Sequence, residues 1–230
     1  MVNLYITSGL CMFLGMLASF FNSLNKQILR IIVKTVASIM FCVTALIAVV
    51  IAKEYSMYAI GVLVALLLGL VGDIFLCIDC LTEDKGKLAI QGFGVLLFLA
   101  GHIFYIAIFM NAAPFQLWAL SIVFAFPVIL GVVIATGLLK IKRAMILPCI
   151  IYSILLGLTV ASAISLYFTQ RNTAHLLVAI ASVLFAISDT FLIVRESENM
   201  TTKNVNRLMY IVLFTYYAAQ CMFAITIAIQ

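Results

Sequence analysis

Along the chain, apolar runs of about twenty residues alternate with short polar turns, and that is the length at which an α-helix crosses the hydrocarbon of a bilayer. The pattern predicts eight helices, at roughly residues 2–21, 29–52, 56–80, 88–110, 115–139, 144–168, 174–194 and 208–229. The first run has no basic segment before it and no small-residue cleavage pattern after it, so it is read as a retained helix and not as a signal peptide. Pro127 lies inside the fifth run and is expected to kink it. In the fourth, Gly94, Phe98 and His102 recur every four residues and so share one helical face.

Composition sharpens this picture. Hydrophobic residues make up 67% of the chain and charged ones 9%, whereas soluble domains carry roughly a quarter charged residues. With a mean hydropathy of +1.30, the reading is an all-α integral membrane protein, one bundle spanning 1–230 with no soluble domain. The net charge of +5 sits almost wholly in the turns, so it reports topology and argues against a nucleic-acid partner. Lys26, Arg30, Lys85, Lys87, Lys140, Lys142, Arg143, Arg195, Lys203 and Arg207 fall on one face of an eight-span layout, and only Lys53 and Arg171 on the other. Positive charge favours the cytoplasmic side, so both termini are expected on the non-cytoplasmic face.

Two acids break the apolar pattern. Gly72-Asp73-Ile74-Phe75-Leu76 in the third run returns about half a chain length later as Ser188-Asp189-Thr190-Phe191-Leu192 in the seventh. A carboxylate in hydrocarbon is costly unless paired, neutralised or hydrated, so two of them suggest a shared polar site. Both runs point the same way across the membrane, as a parallel duplication with halves 1–113 and 114–230 would have it. A chance recurrence in a Phe- and Leu-rich chain is the alternative. With a rise of 1.5 Å per residue, Asp73 lies about 10 Å from the cytoplasmic end of its helix, and Asp189 and Lys34 about 8 Å. Tyr152 comes out about 12 Å deep, with His102 and Gln220 nearer or beyond the midplane. A cleft entered from the cytoplasmic leaflet could be lined by all of them.

Each of these residues also has a plainer role. Either aspartate could serve only as a hydrogen-bond partner between helices, Lys34 could snorkel to the headgroups, and His102 could be a helix–helix hydrogen-bonding group. Tyr105, Tyr152, Tyr216, Tyr217 and Gln220 are individually unremarkable. Cys77-Ile78-Asp79-Cys80 has no second pair or suitable histidine nearby, so neither a zinc site nor a disulfide framework is read. Phosphate loops, nucleophile elbows and His-Glu-x-x-His helices are missing too. No metal or cofactor is expected. Two acids with little else suit acid-catalysed cleavage of an acetal-like or enol-ether bond, in which one carboxyl delivers a proton and a carboxylate steadies the oxocarbenium-like centre. The substrate would be amphipathic.

Taken together, Gly72-Asp73 with Leu76, Gly94-x-x-x-Phe98-x-x-x-His102-x-x-Tyr105, Phe185-x-x-Ser188-Asp189 and Tyr217-x-x-Gln220 resemble, in order, the motifs of the YhhN family of multi-pass membrane proteins. The characterised animal members of that family are lysoplasmalogenases. Lys34 falls where the family has Lys-Pro, but here Thr35 follows. The resemblance implies hydrolysis of the vinyl-ether bond of a lysoplasmalogen, a lysophospholipid, to a fatty aldehyde and glycerophospho-ethanolamine or -choline. It implies Asp73 and Asp189 as the acid and its partner carboxylate, with Lys34, His102, Tyr105, Tyr152, Tyr217 and Gln220 lining the site. The bilayer is the other implied partner, the cell membrane in a bacterium. Two other classes are open. A proton-coupled transporter uses intramembrane acids in a parallel repeat. An intramembrane aspartyl protease would need glycine where Leu70 stands, and its other motifs are missing.

Overall fold

A computed structural model describes residues 1–53, 55–78, 81, 84–195, 197–198 and 200–230. Asp79 and Cys80 of the Cys-x-x-Cys stretch, and Thr82 and Glu83 of the charged turn, lie outside the described residues. Apolar side chains make lipid the cheapest surroundings for each run, and a backbone in lipid must satisfy its polar groups within the segment, so each run becomes a helix. The eight are α1 (Val2–Ser23), α2 (Gln27–Ala52), α3 (Met57–Ile78), α4 (Asp84–Ala112), α5 (Leu120–Ala135), α6 (Arg143–Gln170), α7 (Thr173–Arg195) and α8 (Thr202–Ile229). All eight are long and apolar enough to cross a membrane.

The ends differ from the hydropathy pattern where local chemistry decides. α8 begins six residues before its apolar run, because the Thr201 side chain accepts a hydrogen bond from the Asn204 N–H and caps the first turn. Between Leu117 and Ala119 a 3₁₀ turn precedes α5. That helix stops at Ala135, not near residue 139, since Gly137 takes φ +74° and turns the chain away. Pro127 lies within α5, and the helix runs on through it.

α8 is the hub. It packs against α1, α2, α3 and α7, and 67% of its apolar stretch is buried in the bundle, against 11% for α5, which packs chiefly on α6. The inward face of α8 carries Met209, Val212, Tyr216, Gln220, Phe223 and Ile227, spaced three or four residues apart as one helical face requires. α3 and α4 approach closely at paired glycines: a Cβ on Gly72 would lie 2.8 Å from the Phe98 ring and 3.3 Å from the Gly94 carbonyl oxygen. Packing in the first half (α1 on α2, α2 on α3, α3 on α4) recurs in the second (α5 on α6, α6 on α7, α7 on α8), and α2 against α8 is answered by α6 against α4. The recurrence is incomplete: α1 and α3 also pack on α8, with no comparable packing of α5 or α7 on α4 among the described residues.

The connectors alternate between two faces. The Lys140 amide N–H donates to Ser197 Oγ and the Lys140 carbonyl accepts from the Glu198 N–H, each at 3.0 Å, so the α5–α6 and α7–α8 connectors meet on one face. On the other, Gln230 at the C-terminus approaches His175 at the start of α7. From the distribution of Lys and Arg, a reporter inserted after Lys142 is expected to read cytoplasm, and one fused after Gln230 the opposite compartment. A Gln230 fusion active only in the cytoplasm would reverse the assigned orientation.

Candidate active site

Asp73, on α3, is 2% exposed, and every polar contact it makes is with a donor. Lys34 Nζ on α2 lies 2.8 Å from Oδ1. Ser38 Oγ, one turn further along α2, donates to Oδ2 at 2.6 Å, and Tyr216 OH on α8 donates to the same oxygen at 2.8 Å. Three donors, one of them a lysine, thus converge on its two oxygens. The supporting bonds follow from proton counting. Ser38 has one hydroxyl hydrogen, which goes to the carboxylate, so Tyr217 OH gives its own to Ser38 Oγ or to the Lys34 carbonyl, each 3.1 Å away. Tyr216 in turn accepts from Gln220 Nε2 at 3.1 Å, and Gln220 Oε1 accepts from Tyr105 OH on α4 at 3.2 Å. The sequence Tyr105, Gln220, Tyr216, Asp73 is therefore a directed chain of donors ending on the acid. Gly69 makes room for it, since a Cβ there would lie 2.9 Å from Gln220 Nε2.

Asp189, on α7, is 4% exposed and its surroundings differ. Tyr152 OH on α6 donates to Oδ2. His102 Nε2 on α4 faces the same oxygen at 3.5 Å, within ion-pair range but too far for a well-formed hydrogen bond, and it has no hydrogen-bond partner among the described residues. Thr159 on α6 holds the other side of the ring, its Oγ 3.0 Å from His102 Nδ1 and 2.9 Å from the Leu155 carbonyl. With the Thr159 hydroxyl donating to Nδ1, the Nε2–H of the imidazole is directed at Asp189 Oδ2.

The two acids thus sit in separate polar sets. Their helices exchange roles between the halves, with α2 and α8 serving Asp73 and α6 and α4 serving Asp189. Between the sets lies an aromatic layer: the Phe185 ring is 4.7 Å from His102 and 5.5 Å from Tyr216, and Phe98 is 5.9 Å from Tyr216. A crevice of about 180 Å³, too narrow for a water molecule, runs through this layer. His102 of one set and Gln220 and Tyr105 of the other line it, with Ala65, Gly69, Phe98, Gly101 and Phe185. A larger apolar groove of about 400 Å³ lies between α5, α6 and α7, walled by Phe126, Val160, Val183, Ala186, Ile187, Thr190 and Phe191.

Of the residues expected from the sequence, Lys34, Tyr217 and Gln220 gather around Asp73, with Tyr105 at the end of the donor chain. Tyr152 and His102 gather around Asp189. Among the described residues, Lys34 does not also reach Asp189, and the carboxylates share no ligand. Ser38 and Thr159 were not foreseen, although Ser38 stands one helical turn from Lys34 and so had a legible signal. Thr159, in an apolar run without charged neighbours, had none.

The model of the YhhN family matches residues 29–227 of the 230-residue chain, a span that takes in every residue of both polar sets. No curated protein and no solved structure matches it.

Proposed function

The chain belongs to the YhhN family, and from that membership and the two unlike acid sets we propose that it is a membrane-embedded hydrolase of lysoplasmalogen type, cleaving the vinyl-ether bond of a lysophospholipid. The observation that carries this reading is the contrast between the acids: Asp73 accepts from Lys34, Ser38 and Tyr216, while Asp189 accepts from Tyr152 and has the His102 ring 3.5 Å away. Vinyl-ether hydrolysis needs that division. A proton from the Asp189–His102 pair goes to carbon 2 of the alkenyl chain, and the ether oxygen shares its electrons with carbon 1 to form an oxocarbenium. The Asp73 carboxylate stabilises this cation. Water adds to the cationic carbon and gives its proton back to the Asp189–His102 pair. The resulting hemiacetal collapses to a fatty aldehyde and the free glycerol hydroxyl. The apolar groove beside α7 suits the alkenyl chain, and the aromatic layer between the two sets must part to admit the reacting bond and the water.

Purified protein in detergent is expected to release aldehyde from a 1-alkenyl lysophospholipid and none from the saturated 1-alkyl analogue. Failure to release aldehyde would remove this reading. It would favour a proton-coupled transporter, a role that the exchanged packing of the two halves also suits.

A further inference from the structure

Arg30 takes no part in either acid set, yet it is only 7% exposed. It lies on α2 one turn before Lys34, so the two cations share a face and point toward α3. Lys34 is spent on Asp73. Arg30 has only one of its Nη groups on the Cys77 carbonyl, at 3.4 Å, while its Nε–H has no partner and no ion pair to Arg30 is present among the described residues. A buried guanidinium whose Nε–H finds no acceptor among the described residues is costly, and an anion is what would satisfy it.

The setting suits a phosphate. The planar fork of arginine matches two oxygens of a phosphate at once. Arg30 stands in the first turn of α2, a helix start with no side-chain cap, so the N–H groups of that turn add donors at the same end. This end is also the one where a lipid headgroup lies when its chain enters the bundle. The spacing fits as well. Four residues of helix put Arg30 about 6 Å from Lys34 along the axis, and the five single bonds from phosphorus to the sn-1 oxygen of a glycerophospholipid span roughly the same distance.

We propose that Arg30 binds the phosphate of the lysophospholipid headgroup and so places the sn-1 ether oxygen at the depth of the Lys34–Asp73 pair. This inference rests on the lipid-hydrolase reading, but binding tests it apart from turnover. Full-length protein in detergent is titrated with 1-O-alkyl-glycerophosphoethanolamine, which has no vinyl ether to cleave, with the 1-O-alkylglycerol of the same chain, and with inorganic phosphate. The wild type is expected to bind the phospholipid at least about tenfold more tightly than the alkylglycerol. Arg30→Gln should bring the two lipids to within about twofold by weakening only the phospholipid, with Arg30→Lys in between. Equal binding of both lipids by the wild type overturns the proposal without recourse to any variant, and so does a preference retained by Arg30→Gln. Inorganic phosphate bound through Arg30 while the two lipids bind alike would assign the site to free phosphate and overturn it too. A chain that shows the lipid preference but releases no aldehyde would keep this site and lose the hydrolase.

Discussion

Asp189→Asn is expected to lower aldehyde release per folded molecule by about 100- to 10,000-fold, the range over which a positioned acid or base contributes. The fold should survive. Asparagine keeps the volume of aspartate and still offers an oxygen to the Tyr152 hydroxyl, and at 3.5 Å the His102 contact contributes little to stability in the resting state. What disappears is the ionisable group that faces His102 Nε2. Because both acids serve one chemical step, Asp73→Asn combined with Asp189→Asn should cost little more activity than the worse single change. Turnover is normalised to monodisperse protein on a sizing column, and near-normal activity of Asp189→Asn would take that residue out of the mechanism.

The second large effect is on stability and belongs to the other acid. Lys34 and Asp73 are buried, with side chains 8% and 3% exposed. Removing one partner alone, as in Asp73→Leu, leaves an uncompensated buried ammonium and should cost about 3–5 kcal/mol. Removing both, as Lys34→Met with Asp73→Leu, should recover most of that loss, because apolar groups of similar size replace the pair. Recovery is not complete, since Ser38 and Tyr216 still lose their acceptor. Thermal unfolding in one detergent should therefore rank the wild type first, the double variant second and Asp73→Leu last, with both variants inactive. A double variant as unstable as Asp73→Leu would show that the pair is not coupled.

Hydropathy makes the eight spans legible, because each must fill the bilayer with apolar residues whatever its neighbours are. It is blind to ends set by a hydrogen bond or a dihedral angle, hence the early start of α8 at the Thr201 cap and the early stop of α5 at Gly137. Depth along a helix is also legible, and it places Lys34, Asp73 and Asp189 within about 2 Å of one another. Rotation about the helix axis is not, so depth alone could not say that Lys34 turns to Asp73 while Tyr152 and His102 turn to Asp189. The aromatic layer of Phe98, Phe185 and Tyr216 is the least readable feature, since such rings are common throughout an apolar chain and only packing shows which ones meet.

Running the reaction in D2O tests the central claim most directly, by asking whether the released aldehyde carries deuterium. Acid-catalysed vinyl-ether cleavage puts a solvent proton on the carbon next to the new carbonyl, so wild-type product, trapped at once and weighed by mass spectrometry, should hold one deuterium at carbon 2. Asp189→Asn should release labelled aldehyde about 100- to 10,000-fold more slowly. Unlabelled aldehyde from the wild type, or labelled aldehyde at the wild-type rate from Asp189→Asn, would contradict proton delivery by the buried acid pair.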